Sequence, residues 1–244
     1  MKRTMTLAGR CTKEIIREPL NLGFGLGFPL VLILLLSAIQ ANIPVELFEI
    51  TRLAPGIAVF GLSFMTLFSA TLISKDRGSS LLRRLYTTPL KPLDFILGYT
   101  LPIIPLSIAQ SAITFLVAIL LGLEVTANIL LSLVFVIPIS FFYISLGLLF
   151  GSILSDKAVG GICGALLTNL SAWLSGVWFD LELVGGVFER IAYALPFVHA
   201  VKLLCGVLTG DFTDFLTHLT VVLGYAVLAF AIAVYLFFRQ MKRQ

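Results

Sequence analysis

Residues 129–154 read ILLSLVFVIPISFFYISLGLLFGSIL, a run of aliphatic, aromatic and hydroxyl side chains without one Asp, Glu, Lys, Arg or His. A helix needs about 20 such residues to cross about 30 Å of hydrocarbon. Working outward, five more runs of this kind lie at 20–40, 54–74, 95–121, 158–178 and 218–238. The expected fold is therefore an all-α polytopic membrane protein with six transmembrane helices, forming a single domain over 1–244.

Composition agrees with that reading. The chain is 59% hydrophobic and 12% charged, with a mean hydropathy of +1.05. An ordinary soluble domain is about 45–50% apolar and about 25% charged, so this chain has too little polar surface to cover a body facing water. A disordered chain, a disulfide-stapled secreted module and a nucleic-acid partner are all excluded, despite a formal charge of +4. Cys11, Cys163 and Cys205 are scattered, without a CxxC pair or a His at ligand spacing, and read as small apolar residues. Residues 1–19 are too long and charged for a cleavable leader, and are expected to remain in the mature protein.

A seventh apolar stretch, 183–209, carries Glu189, Arg190, His199 and Lys202 and is broken by Pro196. Each such charge costs about 2.5–3.5 kcal/mol at the bilayer midplane. The stretch therefore reads as a re-entrant or interfacial helical hairpin within an outer segment, 179–217. Basic residues set the orientation. Lys2, Arg3, Arg10, Lys13 and Arg17, then Lys75, Arg77, Arg83, Arg84 and Lys91, then Lys157, Arg239, Lys242 and Arg243 fall on one side, 14 of the 17. The positive-inside rule makes that side, with both termini, cytoplasmic. In 1–19, Met5, Ala8, Thr12, Ile15 and Ile16 share a helical face. An interfacial helix in the inner headgroup layer, ended by Pro19, and a basic lead-in that only fixes orientation both fit.

The loop 74–97, SKDRGSSLLRRLYTTPLKPLDFIL, holds a short helix of its own. Gly78, Ser79 and Ser80 supply a turn and an N-cap, Leu81, Leu82 and Leu85 an apolar face, and Pro89 and Pro92 a stop. So short a helix is marginal alone, so its leucines need a partner: either a soluble protein docking on this side, or the membrane surface with Arg83 and Arg84 near phosphates.

The order of these parts carries a resemblance. Six spans, an N-terminal helix and a long outer segment between spans five and six frame a second-to-third-span loop that reads Asp76, Arg77, Gly78, Ser79, Ser80, Leu81, Leu82, Arg83, Arg84, Leu85, Tyr86, Thr87, Thr88, Pro89. The outer segment reads Ser175, Gly176, Val177, Trp178 and later Leu195, Pro196, Phe197. The chain resembles the ABC-2 type transporter permease family, which includes drug, antibiotic and polysaccharide exporters. The loop is one residue shorter than the family pattern near the glycine, and Asp76 and basic residues replace the usual glutamates. The resemblance implies a permease of a bacterial plasma membrane that pairs with a second permease, identical or paralogous, and with two cytoplasmic ATPases. ATP and Mg²⁺ would be held by those ATPases and no cofactor by this chain. The loop at 75–90 would be the cytoplasmic coupling helix, with Asp76, Arg77, Gly78, Leu81, Leu82, Leu85 and Pro89 as its ATPase-coupling residues. Asp156 and Lys157 would form a second cytoplasmic contact.

The residues themselves hold no G-x-x-x-x-G-K-[ST] phosphate loop, H-E-x-x-H or G-x-S-x-G, so nucleotide energy is expected from another chain and this one is not read as an enzyme. An ion-coupled carrier would usually place acids, His or Arg inside its spans. Here charge is essentially confined to the span ends. That carrier and a non-transporting accessory protein remain as alternatives. Thr66 and Ser69 in the second span and Thr168, Asn169 and Ser171 in the fifth could line a substrate pathway or simply bond their own helices. Phe197 and His199 mark a possible outer gate, the other reading being interfacial anchoring. Gly23 with Gly27, Gly147 with Gly151 and Gly160 with Gly164 are small-xxx-small pairs suited to close helix packing. The charge-poor interior favours a lipophilic or amphipathic substrate.

Overall fold

The computed structural model describes residues 2–44, 48–79 and 92–241. Every regular element among them is helical. Six helices are long and apolar enough to cross a membrane: Gly23–Gln40, Ile50–Gly78, Asp94–Leu120, Ala127–Ile153, Asp156–Ser175 and Phe215–Phe237, here spans one to six. The chain is thus a multi-pass, all-α membrane protein. The loop helix, with Leu81, Leu82, Leu85 and Pro89, lies outside the described residues.

Span two is the axis of the bundle. In its apolar window 89% of the residues are buried, against 22% in spans one and six, so the others wrap around it. Its closest neighbour is span four. A Cβ added at Gly147 would lie 2.6 Å from the Thr66 carbonyl oxygen, and one at Gly151 2.8 Å from that of Ala70. The two backbones meet where side chains are absent, which in a membrane substitutes for the missing hydrophobic force between helices. Gly147 and Gly151 therefore pack inside this chain. Around Gly23, Gly27 and Gly160 there is open space. Spans one and five also carry π-helical turns, Gly23–Gly27 and Gly160–Leu167.

The exterior is apolar: Val31 and Leu35 of span one, Leu116 of span three, Leu130 of span four, Leu166 and Trp173 of span five and Leu228 of span six are exposed. The interior holds buried hydroxyls, among them Ser63, Thr66, Ser69, Ser107 and Thr114. Apolar outside with small polar groups inside is the arrangement expected where the surrounding solvent is lipid.

The N-terminal helix spans Lys2–Ile16. Its buried stripe is Thr4, Leu7, Ala8, Cys11 and Ile15; of the face expected in the headgroup layer, Ala8 and Ile15 are buried and Met5, Thr12 and Ile16 are exposed. The reason is a close fit to span three, where Leu7 lies against Gly98, whose added Cβ would come 2.6 Å from Leu7 Cδ2. Pro19 opens the short helix Pro19–Leu22, a first-turn position where its missing N–H costs nothing.

At the far end, Gly176 in the left-handed region (φ 76°) ends span five. A hairpin of two helices follows, Gly186–Ala194 and Pro196–Thr209, bent by 72°. The bend sits at Leu195, extended at φ −102°, ψ 155°, because a residue before proline is driven out of the helical region. The 183–209 stretch is thus a bent helical pair.

Candidate functional site

Span two runs on through Gly78, so the first residues of the expected loop are its last helical turn. Successive helix residues point about 100° apart, and four in a row at the end of a central helix address four directions. Each of Ser74, Lys75, Asp76 and Arg77 uses its direction. Ser74 Oγ donates to Asp156 Oδ1 at 3.2 Å, at the start of span five. Lys75 Nζ pairs with Glu18, between the N-terminal helix and span one. The Arg77 guanidinium donates to the carbonyls of Ser152 and Leu154, at the end of span four. Lysine and arginine are favoured at such helix ends, where carbonyls lack partners and the dipole is negative.

Asp76 is the centre of this hub. It is 2% exposed, and a buried carboxylate persists only when fully partnered. Arg10 Nη1 and Nη2 donate to it at 2.5 and 2.6 Å, the bidentate pairing that suits a planar guanidinium. Tyr99 in span three donates its hydroxyl at 2.7 Å. The hydrogen bonds from Arg10 to Asp76 hold the Arg10 pKa above its ordinary value, against burial. Arg10 also reaches Glu14 at 2.7 Å. Burial raises the Glu14 pKa, with Arg10 opposing, and burial pushes the Cys11 thiol up to about 12. Thr4 donates to Asp94 at 2.8 Å, at the start of span three. The N-terminal helix is thereby fastened to both ends of the loop it borders. Gly78 and Lys157 are exposed beside this hub.

Three hydroxyls in mid-bundle, those of Thr66, Ser69 and Ser171, converge on span four. Thr66 Oγ1 donates to the Tyr143 carbonyl at 2.8 Å and Ser69 Oγ to that of Ile144 at 3.3 Å. Ser171 Oγ bonds the Tyr143 hydroxyl at 2.7 Å. Phe197, 7% exposed, sets its ring 6.4 Å from that of Tyr143 and 5.8 Å from that of Phe142. Thr168 and Asn169 stand apart: they bond the carbonyls of Cys163 and Ala165 in their own span, and Asn169 is exposed on the outer wall. His199 lies above, on the hairpin, facing a cavity of about 810 Å³ that Arg52, Asp180, Lys202 and His218 also line.

The sequence reading missed Tyr143, Tyr99, Arg10 and Glu18. Tyr143 had a usable signal, a phenol four residues before the Gly147 and Gly151 pair in a charge-free span, since a tyrosine hydroxyl buried there needs a partner. The pairing of Arg10 with Asp76 had none, because 66 residues separate them.

The family model described as "ABC-2 type transporter" matches residues 2–209. That is most of the chain, from the N-terminal helix through the hairpin, and the chain belongs to the ABC-2 type transporter family. It is an ABC-type permease, of a family whose members generally work with ATP-binding subunits. No curated protein matches the chain.

Proposed function

We propose that this member of the ABC-2 type transporter family is the permease of an exporter that moves a lipophilic or amphipathic substrate, drug-like or lipid-like, out of the cytoplasm. Two separate ATPases would hold ATP and Mg²⁺, and a second permease, identical or paralogous, would complete the pathway. The hub of Ser74, Lys75, Asp76 and Arg77 carries this reading. It stands directly before residues 80–91, where an ATPase would press, and each of its side chains grips a different element. A push on the loop would reach the N-terminal helix and spans one, three, four and five together, a rigid-body route between two packings.

The remaining parts fit this role. With the basic end cytoplasmic, as the distribution of Lys and Arg favours, both termini and the hub would face the ATPases of a bacterial plasma membrane, and the hairpin would face outward. The N-terminal helix presents Met5, Thr12 and Ile16 to the inner headgroup layer while its other side grips the protein. The open glycines Gly23 and Gly160 lie on outer walls where a second permease could approach closely. The hydroxyls meeting at Tyr143, with Phe197 above them, would change partners when the bundle changes state.

Proteoliposomes containing this chain with its ATPases, loaded with a fluorescent amphiphile, test the proposal. Transport that requires ATP and stops when the ATPases are omitted is the expected result. Equal transport by this chain alone under an ion gradient would point to the ion-coupled alternative, and a stable complex with no transport to the accessory one.

A further inference from the structure

The hairpin is tied to span six by two imidazoles. His199 Nδ1 and His218 Nδ1 are 2.8 Å apart, and His199 Nε2 lies 2.9 Å from the carbonyl oxygen of Tyr193 in the other arm of the hairpin. A carbonyl only accepts, so His199 Nε2 carries a hydrogen. In the neutral pair His199 Nδ1 is then bare, and His218 Nδ1 must be the donor. One added proton goes to His218 Nε2, outside the bond, and strengthens it by giving the donor a charge. A second can only go to His199 Nδ1. That sets N–H against N–H and two cations in contact, and the bond fails.

We propose that His199 and His218 form a proton-released latch, closed in the neutral and singly protonated pair and opened by the second proton, which frees the hairpin from span six. Charged groups of both signs surround the pair. In the hairpin, Lys202 donates to the Tyr193 hydroxyl at 2.6 Å and sits 4.5 Å from its ring centroid, so it adds positive charge that resists the second proton. Arg52 from span two lines the same cavity, where Asp180 stands 4.0 Å from it. Asp214, in the turn before span six, with Asp180, Glu182 and Asp211 around the cavity, favours protonation. The pair is also placed to matter: it fastens a lining helix of the cavity of about 810 Å³ two residues from Phe197, which rests on Tyr143. Releasing it would loosen the hairpin above that packing.

The latch is independent of what the permease carries, so it is tested without substrate. Hydrogen exchange is followed in the full chain in lipid nanodiscs from about pH 8 to about pH 5, the range in which histidines titrate, with rates corrected for intrinsic pH dependence. In the wild type the amides of Gly186–Ala194 and Pro196–Thr209 should exchange about tenfold faster at the acid end, while span four stays protected and reports an intact fold. In His218→Asn the side-chain amide can donate to His199, or accept from it after a flip, without becoming a cation. Its hairpin exchange should be flat across the range. His199→Ala has no latch and should exchange fast at every pH. A wild-type hairpin equally protected at both ends of the range, or a His218→Asn profile that follows the wild type, would overturn the latch and leave the transporter reading untouched.

Discussion

Arg10 and Asp76, 66 residues apart in the chain, meet through two hydrogen bonds of 2.5 and 2.6 Å. Asp76 is buried and takes a third bond from Tyr99, so the pair joins the N-terminal helix, the end of span two and the start of span three. Asp76→Asn keeps the shape and removes the charge, leaving Arg10 half-buried beside a neutral amide. Breaking a buried pair costs about 3–5 kcal/mol, and solvent reaching Arg10 reduces that to about 2 kcal/mol. The expected result is a lowered unfolding temperature, with the double variant Arg10→Leu/Asp76→Leu closer to wild type than Asp76→Asn. Simple additivity of the single changes would count against a specific pair.

Cys11 reports the same docking. It is fully enclosed, and burial pushes its thiol up to about 12. Alkylation needs an accessible thiolate, so maleimide at about pH 7.5 should leave Cys11 unlabelled in the folded permease. Arg10→Ala should undock the helix and raise its labelling several-fold in a Cys163→Ala/Cys205→Ala background. Equal labelling with and without Arg10 would mean that the ion pair does not hold the helix in place.

Two glycines should separate folding from assembly. At Gly147 a side chain meets the backbone of span two at 2.6 Å, and overpacking of this kind costs about 1–3 kcal/mol. At Gly160 there is nothing within 4 Å. Gly147→Leu should lower the thermal stability of the isolated chain, and Gly160→Leu should leave it unchanged while weakening pairing with a second permease, read by cross-linking in membranes. Equal destabilisation by both would contradict the packing described.

Tyr143→Phe removes the hydroxyl that bonds Ser171 at 2.7 Å and leaves the Tyr143 carbonyl bond to Thr66 in place. Interhelical hydrogen bonds in membranes average about 0.6 kcal/mol, so the unfolding midpoint should fall by only about 2 °C. The larger effect is expected on transport, because this contact joins span five to span four beneath Phe197. A fall in transport no greater than the fall in folded protein would confine Tyr143 to a structural part.

The six spans were legible because each is a long charge-free run, and the bent hairpin because Pro196 interrupts an apolar stretch that carries four ionisable groups. The side of the N-terminal helix that docks on the protein was not legible. Periodicity ranks residues by polarity, whereas docking followed shape, Leu7 against the bare backbone of Gly98. For the same reason three glycine pairs looked alike in sequence, and only Gly147 with Gly151 meets another span's backbone. The candidate site was legible in part. Asp76 and Arg77 were singled out from the loop pattern, but their bonds to Arg10, Tyr99 and the span-four carbonyls depend on long-range contacts that no local pattern encodes.

Under the proposed function, separate ATPases drive this permease through residues 80–91. This is tested most directly by purifying the tagged chain from its own membranes in a gentle detergent and measuring the native mass of the complex, for the wild type and for Leu85→Asp. The account predicts two permeases with two ATPases for the wild type, and loss of the ATPases from a Leu85→Asp permease that still melts at the wild-type temperature. A wild-type permease that carries no ATPase, or a Leu85→Asp complex as complete as the wild type, would contradict it.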